Sequence, residues 1–247
     1  MQLAVNVSGS GPRTAVLVHG IMSDSRAWTR VTEELVGHGF RVYAVDLAGH
    51  GGSPRARRYS PKAWADDVVE TLAPILRRPP DVVMGHSLGA LVASMVVDRL
   101  APASAIYIDP AFAFPRGIRG MLLKLAFALM PRPRRSVLLR MNPRWDAAEV
   151  DRELAALRRW DKRTIFGLAR SRALVPPDRL TAPSLVVLAE RSLLITKDVA
   201  LRLAGLGMTV ETVPDTGHNV HRDDPATFMQ HVRGWLERQA SAPIDAR

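Results

Sequence analysis

The chain has 247 residues, enough for one α/β domain with a single large core. Apolar residues make up 47% and charged residues 23%, which is typical of a folded protein and argues against disorder. There is no cysteine, which excludes disulfides, thiolate nucleophiles and cysteine metal sites and fits a reducing compartment. Without a signal-peptide pattern or an apolar run near the about 20 residues of a membrane span, the sequence predicts a cytoplasmic protein.

Short apolar runs alternate with helical patterns along the chain. Six of the runs predict β-strands, at residues 14–18, 41–45, 81–84, 105–108, 184–188 and 209–213. Helices are predicted between them, including a buried one from Leu88 to Leu100 and a closing helix at 223–239. Apolar strands separated by helices predict an α/β fold, with a mostly parallel central sheet covered by helices on both faces.

One interval departs from this alternation. Residues 110–182 contain no predicted strand, but they have helical patterns at 117–130 and 147–160 that are separated by prolines. We therefore predict a helical insertion at 110–182, in a domain built from 1–109 and 183–240. The last residues, 241–247, are expected to be a loose tail.

The positive charge is concentrated in the same interval. The net charge is +10, and 16 basic and 6 acidic residues lie between Arg116 and Arg179, whereas the remainder has 18 of each. A surface with this excess of positive charge can attract an acidic substrate, an anionic membrane surface, an acidic carrier protein or nucleic acid. The alternative is a merely solvated face, since 30 of the 34 cations are arginine. Nucleic acid is not expected, because the aromatic residues of this region occupy helical, core-like positions: Phe127, Trp145, Trp160 and Phe166.

A G-x-S-x-G pentapeptide, residues 85–89 (GHSLG), follows the third predicted strand and precedes a helix. Glycines at both ends allow a sharp turn that holds Ser87 in a strained conformation, with its hydroxyl above the sheet. The amino terminus of the helix beneath favours negative charge. The pattern predicts Ser87 as a nucleophile.

Two further loops can complete such a site. The loop after the first predicted strand, residues 19–22 (HGIM), can present a backbone N–H toward Ser87, and with the N–H of Leu88 it would form a hole for an oxyanion. Taken alone, this loop is better explained as an ordinary glycine turn after a strand. His218 lies on the loop after the last strand, at the sheet edge where ligands bind, and is the candidate base. The His218-x-x-His221 spacing has no glutamate or cysteine nearby to complete a metal shell, so no metal or other cofactor is expected.

Together these segments resemble the α/β-hydrolase superfamily. The resemblance covers nearly the whole chain, through HGIM at 19–22, DLAGHGGSP at 46–54, GHSLG at 85–89 and TGHN at 216–219. It implies Ser87 as nucleophile, His218 as base, and the N–H groups of Ile21 and Leu88 as the oxyanion hole. It also implies that 110–182 is a cap over the pocket, with Met22 and Trp28 beside the substrate.

Members of this superfamily also carry an acidic residue that orients the histidine and completes a Ser-His-acid triad. In this sequence the acid is missing from its usual place. Most members of the superfamily carry it in a Gly-Glu-x-Asp pattern after the strand at 184–188, which here falls on residues 189–192 (AERS) and puts Ser192 at the aspartate position. Asp109, at the end of the strand at 105–108, is the first substitute and Glu190 is the alternative. A chain with no functional acid is the third case. Asp109 is also explained as a turn former before Pro110.

The expected activity is therefore serine hydrolysis of an ester, thioester or lactone of a small, largely apolar substrate, which is acyl or acidic. Apolar side chains at 121–130 would line the acyl pocket. One rival hypothesis is a binding protein that lost turnover together with the acid. Another is a biosynthetic lyase or acyltransferase that uses the same triad.

Overall fold

The computed structural model describes residues 1–112, 129, 131–169, 179–192 and 194–241. The strands are β1 (Val5–Ser8), β2 (Arg13–Val18), β3 (Phe40–Val45), β4 (Val82–His86), β5 (Ala105–Ile108), β6 (Ser184–Ala189) and β7 (Thr209–Val213). They form one sheet in the order β1-β3-β2-β4-β5-β6-β7. β1 is antiparallel to β3, and every other neighbouring pair is parallel.

Helices of the described residues lie between the strands and after the last one. They are α1 (Thr29–Gly37), α2 (Pro61–Leu72), α3 (Leu88–Leu100), α4 (Arg135–Met141), α5 (Ala147–Arg159), α6 (Thr164–Ala169), α7 (Lys197–Gly205), α8 (Val220–Asp223) and α9 (Pro225–Ser241). α4, α5 and α6 belong to the helical insertion between β5 and β6. No helix in the described part of the chain is long and apolar enough to cross a membrane.

The sheet is packed on both faces because side chains alternate along each strand. In β2, Val16 and Val18 join one apolar cluster with α2 and α3, whereas Ala15 and Leu17 join another with α1 and α9. Burial of each large apolar side chain contributes roughly 1.5–3 kcal/mol. The central strands are therefore a rigid support for the residues that follow their carboxyl ends.

All six predicted strands are present, each within two residues of its predicted bounds. The sequence analysis missed β1, a short, partly exposed edge strand of four residues. The predicted closing helix at 223–239 is α9, which begins at Pro225 because the preceding residue, Asp224, is not helical (φ −141°, ψ 78°). The single-turn helix α8 before it was not predicted. α9 continues to Ser241, two residues past the predicted end of the helix, and 242–247 lie outside the described residues.

Candidate active site

Ser87 lies on the turn from β4 into α3, with φ 53° and ψ −116°. A positive φ is strained for a residue with a side chain, and the neighbouring glycines make the turn possible. A Cβ on Gly85 would lie 2.3 Å from the Gly89 oxygen, and one on Gly89 would lie 2.1 Å from the Val18 oxygen. The turn therefore places Ser87 at the carboxyl end of β4 and the amino end of α3.

The loop at 19–22 runs directly against this serine. A Cβ on Gly20 would lie 3.3 Å from the Ser87 Cβ and 2.9 Å from His86 Nδ1, so only glycine allows this approach. The loop is held by His19, whose Nε2 accepts the Leu47 N–H at 3.0 Å. Ile21 follows Gly20, and the next residue, Met22, has a positive φ of 69°.

Leu88 is the first residue of α3 and is completely buried. The first N–H groups of a helix have no intrahelical acceptor, so they favour an anion. The structure thus places Gly20, the residue before Ile21, against Ser87, and Leu88 follows the serine at the amino end of α3.

Asp109 and His218 are hydrogen-bonded to each other. His218 Nδ1 donates to Asp109 Oδ2 at 2.6 Å, and the aspartate has no exposed surface. Asp109 directly follows β5 and has a positive φ of 35°. The Ser87 N–H donates to the Ile108 carbonyl at 3.0 Å, and the Ser87 carbonyl accepts the Ala111 N–H at 3.1 Å. Ser87, Asp109 and His218 therefore lie together at the carboxyl edge of the sheet.

The residues after β6 have other partners. Glu190 accepts the backbone N–H of Asp215 at 2.9 Å, at the start of the loop that carries His218. The Ser192 hydroxyl accepts the N–H groups of Leu194 and Ile195 at 3.3 and 3.0 Å. Both side chains thus bind loop backbone, whereas the described carboxylate partner of the His218 ring is Asp109.

His86, the residue before Ser87, also holds the histidine loop. Its Nε2 donates to the His218 carbonyl oxygen at 2.8 Å, and the two rings lie 4.7 Å apart between centroids. Burial, together with the nearby His218 and His221, lowers the pKa of His86 well below its ordinary value. A neutral His86 with its proton on Nε2 therefore fixes the backbone of His218.

Trp28 and His221 lie behind this cluster. Trp28 has no exposed surface, and its ring centroid is 4.5 Å from that of His221. The position in the core does not support a place for Trp28 on the surface of a substrate pocket. His221 is itself buried, and no group of three or more histidine, cysteine, aspartate or glutamate residues forms a metal-ligand cluster within the described ranges.

Buried histidines make stability depend on pH. Burial, mainly, lowers the pKa of His50 to about 3 and the pKa values of His86 and His221 well below normal. In the unfolded chain these groups take up protons near pH 6.5. Below that pH the unfolded state binds more protons, so stability falls as the pH falls.

We expect the free energy of unfolding to drop by about 1.4 kcal/mol per pH unit for each of these histidines below pH ~6.5. Urea denaturation between pH 7 and pH 5.5 measures the slope. His221→Phe keeps a ring against Trp28 and should reduce the slope by about one histidine's share. An unchanged slope in this variant would contradict the assignment for His221.

The helical insertion contributes apolar surface beside the site. Ile21 and Met22 pack against an apolar cluster formed by Leu138, Trp145, Val150, Leu157, Trp160 and Ile165. The predicted acyl pocket at 121–130 lies outside the described residues, apart from the exposed Leu129. Ile21 and Met22, at the carboxyl end of the 19–22 loop, therefore lie against apolar side chains of the insertion.

Several basic residues of the insertion are paired with acids. The pairs include Arg135–Asp151 (2.9 Å), Arg144–Asp224 (3.3 Å), Arg152–Glu149 (2.5 Å) and Arg163–Asp161 (2.6 Å). Trp145 and Trp160 are buried as expected, but Phe166 is 50% exposed and is not a core residue. Contact of the insertion with an acidic substrate, a carrier protein or a membrane surface stays a prediction.

Comparison with known proteins identifies the family. The model of the alpha/beta hydrolase family matches residues 15–231, most of the chain. The chain belongs to the alpha/beta hydrolase family. The matched segment contains Ser87, Asp109 and His218, as well as the loop at 19–22.

Curated relatives of this alpha/beta hydrolase include esterases and a lipase. The pimeloyl-[acyl-carrier protein] methyl ester esterase of Chromobacterium violaceum is 41% identical over 93 residues, 38% of this chain and 34% of that protein. The lipase LipV of Mycobacterium tuberculosis is 36% identical over 111 residues, 42% of this chain and 40% of that protein. The matched part of this chain spans 31% to 43% of the length of the curated relatives.

A solved structure shows the same fold over nearly the whole chain. The esterase EaEST from Exiguobacterium antarcticum superimposes with a TM-score of 0.80 and 17% identity, covering 95% of each chain. At this identity the likeness extends to the fold only. The family match and the relatives together make this alpha/beta hydrolase a distant homologue of esterases.

Sequence reasoning missed two residues that contact the histidine loop, Arg222 and Asp223. Asp223 accepts the N–H of Gly217 at 2.8 Å. Arg222 is almost completely buried and pairs with two glutamates of α5. The sequence before Pro225 places Arg222 beside Asp223 and Asp224 in a polar run, which is typical of an exposed turn, and only the tertiary contacts show that Arg222 is buried.

Proposed function

We propose that this alpha/beta hydrolase is a serine hydrolase that cleaves an ester, thioester or lactone through an acyl-enzyme. The observation that carries the proposal is the 2.6 Å hydrogen bond from His218 Nδ1 to the buried Asp109, beside the strained turn at Ser87. A histidine that donates its Nδ1 proton to a carboxylate keeps Nε2 as the basic nitrogen, which a serine nucleophile needs.

Acylation uses this arrangement as follows. Ser87 Oγ attacks the substrate carbonyl carbon while His218 Nε2 takes the hydroxyl proton. The carbonyl oxygen becomes an oxyanion, which the N–H groups of Ile21 and Leu88 and the amino end of α3 stabilise. The bond to the leaving alcohol, thiol or lactone oxygen then breaks, and His218 returns the proton to that leaving group.

Deacylation repeats the same steps with water. His218 Nε2 removes a proton from the water as its oxygen attacks the acyl carbon. The bond to Ser87 Oγ breaks, the serine regains its proton from His218, and the carboxylic acid leaves. Asp109 stays ionised throughout and stabilises the imidazolium form of His218.

The apolar character of the substrate is supported by the insertion. Its cluster packs on Ile21 and Met22, so the loop that would bind the carbonyl oxygen has apolar contacts on that side.

A fluorophosphonate probe tests the proposal directly. We expect rapid labelling of the wild-type protein at Ser87, identified by peptide mass spectrometry, because the probe needs an activated serine beside an oxyanion hole. Ser94, on α3 with its hydroxyl donating to the Leu91 carbonyl at 2.8 Å, should remain unlabelled. An unlabelled Ser87 would favour the binding protein instead.

Product analysis separates hydrolysis from the lyase or transferase alternative. With a p-nitrophenyl ester in H₂¹⁸O, a hydrolase incorporates one ¹⁸O into the carboxylic acid because water attacks the acyl-enzyme. Labelling of Ser87 without ¹⁸O in the product would assign the acyl group to another acceptor.

A further inference from the structure

Asp223 connects the histidine loop to the helical insertion. Its Oδ2 accepts the backbone N–H of Gly217, the residue before His218, at 2.8 Å. Its Oδ1 accepts the indole Nε1–H of Trp145, which lies in the insertion between α4 and α5, at 2.8 Å. One carboxylate thus binds, at the same time, the backbone beside the proposed base and a side chain of the insertion.

Arg222 holds Trp145 in the position that this carboxylate needs. Its guanidinium carbon lies 3.7 Å from the centroid of the Trp145 ring. Its Nε donates to Glu149, and its Nη1 donates to Glu153 at 2.7 Å, so both bonds reach α5. The side chain of Arg222 is only 4% exposed, and a buried charge of this kind is stable only when it is paired.

Three other tethers of the histidine loop reach elements outside the insertion. His86 binds the His218 carbonyl, Glu190 binds the Asp215 N–H, and the Thr216 hydroxyl binds the carbonyl of Val213 in β7. Arg144 of the insertion also pairs with Asp215, at 4.0 Å between two exposed side chains. The Asp223 carboxylate differs because it hydrogen-bonds both the backbone beside His218 and the insertion. A shift of the insertion would therefore change the support of Gly217, next to the base.

We propose that Asp223 is a positioning residue for His218 and that Trp145 makes this positioning depend on the docked insertion. The inference rests on the proposed function, and it adds that movement of the insertion changes turnover through the histidine loop. Asp223 itself does not contact reacting atoms. Loss of the bridge leaves the oxyanion hole and the substrate contacts intact but lets the His218 ring depart from Asp109.

Kinetics of Asp223→Asn test the bridge. The amide has one acceptor oxygen, and its NH2 group stands where the second N–H donor needs an acceptor, so one of the two bonds is lost. We expect kcat for a p-nitrophenyl ester to fall about 10- to 100-fold with KM nearly unchanged, because a small misplacement of a catalytic group has effects of this size. A KM that rises by the same factor as kcat falls, or an unchanged kcat, would overturn the proposal.

Trp145→Phe is a second variant that leaves Asp223 and Gly217 untouched. It keeps a six-membered aromatic ring for Arg222 and removes the pyrrole part of the indole with its N–H. We expect kcat to fall about three- to tenfold, as for the loss of one hydrogen bond of ordinary net strength. An unchanged kcat in this variant would show that the insertion does not act through the bridge, whether or not Asp223→Asn folds.

Asp224→Asn is the matched control. It removes the same charge one position along, where the carboxylate accepts the Thr227 N–H at 3.0 Å and pairs with Arg144. It should lower the free energy of unfolding without changing kcat. A fall in kcat equal to that of Asp223→Asn would assign both effects to the stability of this segment and overturn the proposal.

Proton NMR gives a readout that is independent of turnover. The Nδ1–H of His218, bonded to Asp109 at 2.6 Å, should give a low-field resonance that Asp109→Asn removes. Asp223→Asn should broaden or remove this resonance, and Asp224→Asn should retain it. A sharp resonance in Asp223→Asn would defeat the positioning role alone, whereas an unlabelled Ser87 in the wild type would defeat the proposed function.

Discussion

Ser87→Ala is expected to lower kcat for a p-nitrophenyl ester by about 10³- to 10⁶-fold relative to the wild type. The variant keeps the oxyanion hole and the Asp109–His218 pair but has no oxygen to form the acyl-enzyme. Residual turnover would come from a water molecule that His218 activates. Steady-state rates at saturating substrate measure the effect, and the fluorophosphonate probe counts the active sites of the wild type and shows that the variant contains none that react.

Ser94→Ala serves as the control for this substitution. Ser94 lies on the same helix, α3, and its hydroxyl bonds only the Leu91 carbonyl among the described contacts. It should retain full activity and show at most a small change in the free energy of unfolding. If Ser87→Ala kept wild-type turnover, the acyl-enzyme mechanism would be wrong, and a water-based or non-hydrolytic role would have to replace it.

Asp109→Asn is expected to lower kcat by about 10⁴-fold, the effect of losing the acid in a serine triad. The asparagine amide presents a donor where His218 Nδ1–H needs an acceptor, so the ring turns or takes the other tautomer. In that tautomer Nε2 carries the proton and cannot accept one from Ser87. The measurement is kcat with the ester substrate, alongside circular dichroism to show that the fold is retained.

Two variants after β6 are the controls for the acid. Ser192→Ala removes a hydroxyl that accepts two backbone N–H groups, and Glu190→Gln keeps an acceptor for the N–H of Asp215. Both should change kcat by less than about threefold, since neither side chain bonds the His218 ring. A large loss in either variant, together with an active Asp109→Asn, would move the acid to that position.

Backbone strain is concentrated where these substitutions act. Among the non-glycine residues with positive φ are Met22, Ser87 and Asp109, each immediately after or near the carboxyl end of a parallel strand. Such conformations cost free energy and persist only where the surroundings hold them. The packed sheet supplies that support, which explains why the candidate site lies at its edge.

Local patterns were sufficient for most of the fold. Apolar runs bounded by turns locate β2 to β7, and the all-round apolar pattern of Leu88–Leu100 matches α3 at both ends. They missed β1, where four residues pair at the sheet edge, and α8, a single helical turn of four residues. Both elements are too short for a periodicity to be visible in the sequence.

Some residues of the candidate site could be predicted from the sequence, and others could not. Ser87 and His218 follow from motifs, since the strained turn and the loop after the last strand are local features of the sequence. The acid remained open among Asp109, Glu190 and none, because distance along the chain does not give distance between side chains. The roles of Asp223 and Trp145 were missed, since 78 residues separate them in sequence.

The sequence by itself determined the alternation of strands and helices, the nucleophile turn and the histidine loop, because each is set by neighbours within a few residues. Only the tertiary structure decided which carboxylate the His218 ring meets. Parallel pairing in the order β4-β5-β6-β7 brings the end of β5 next to Ser87 and within reach of the loop after β7. Asp109 and His218, 109 residues apart, therefore come within hydrogen-bonding distance.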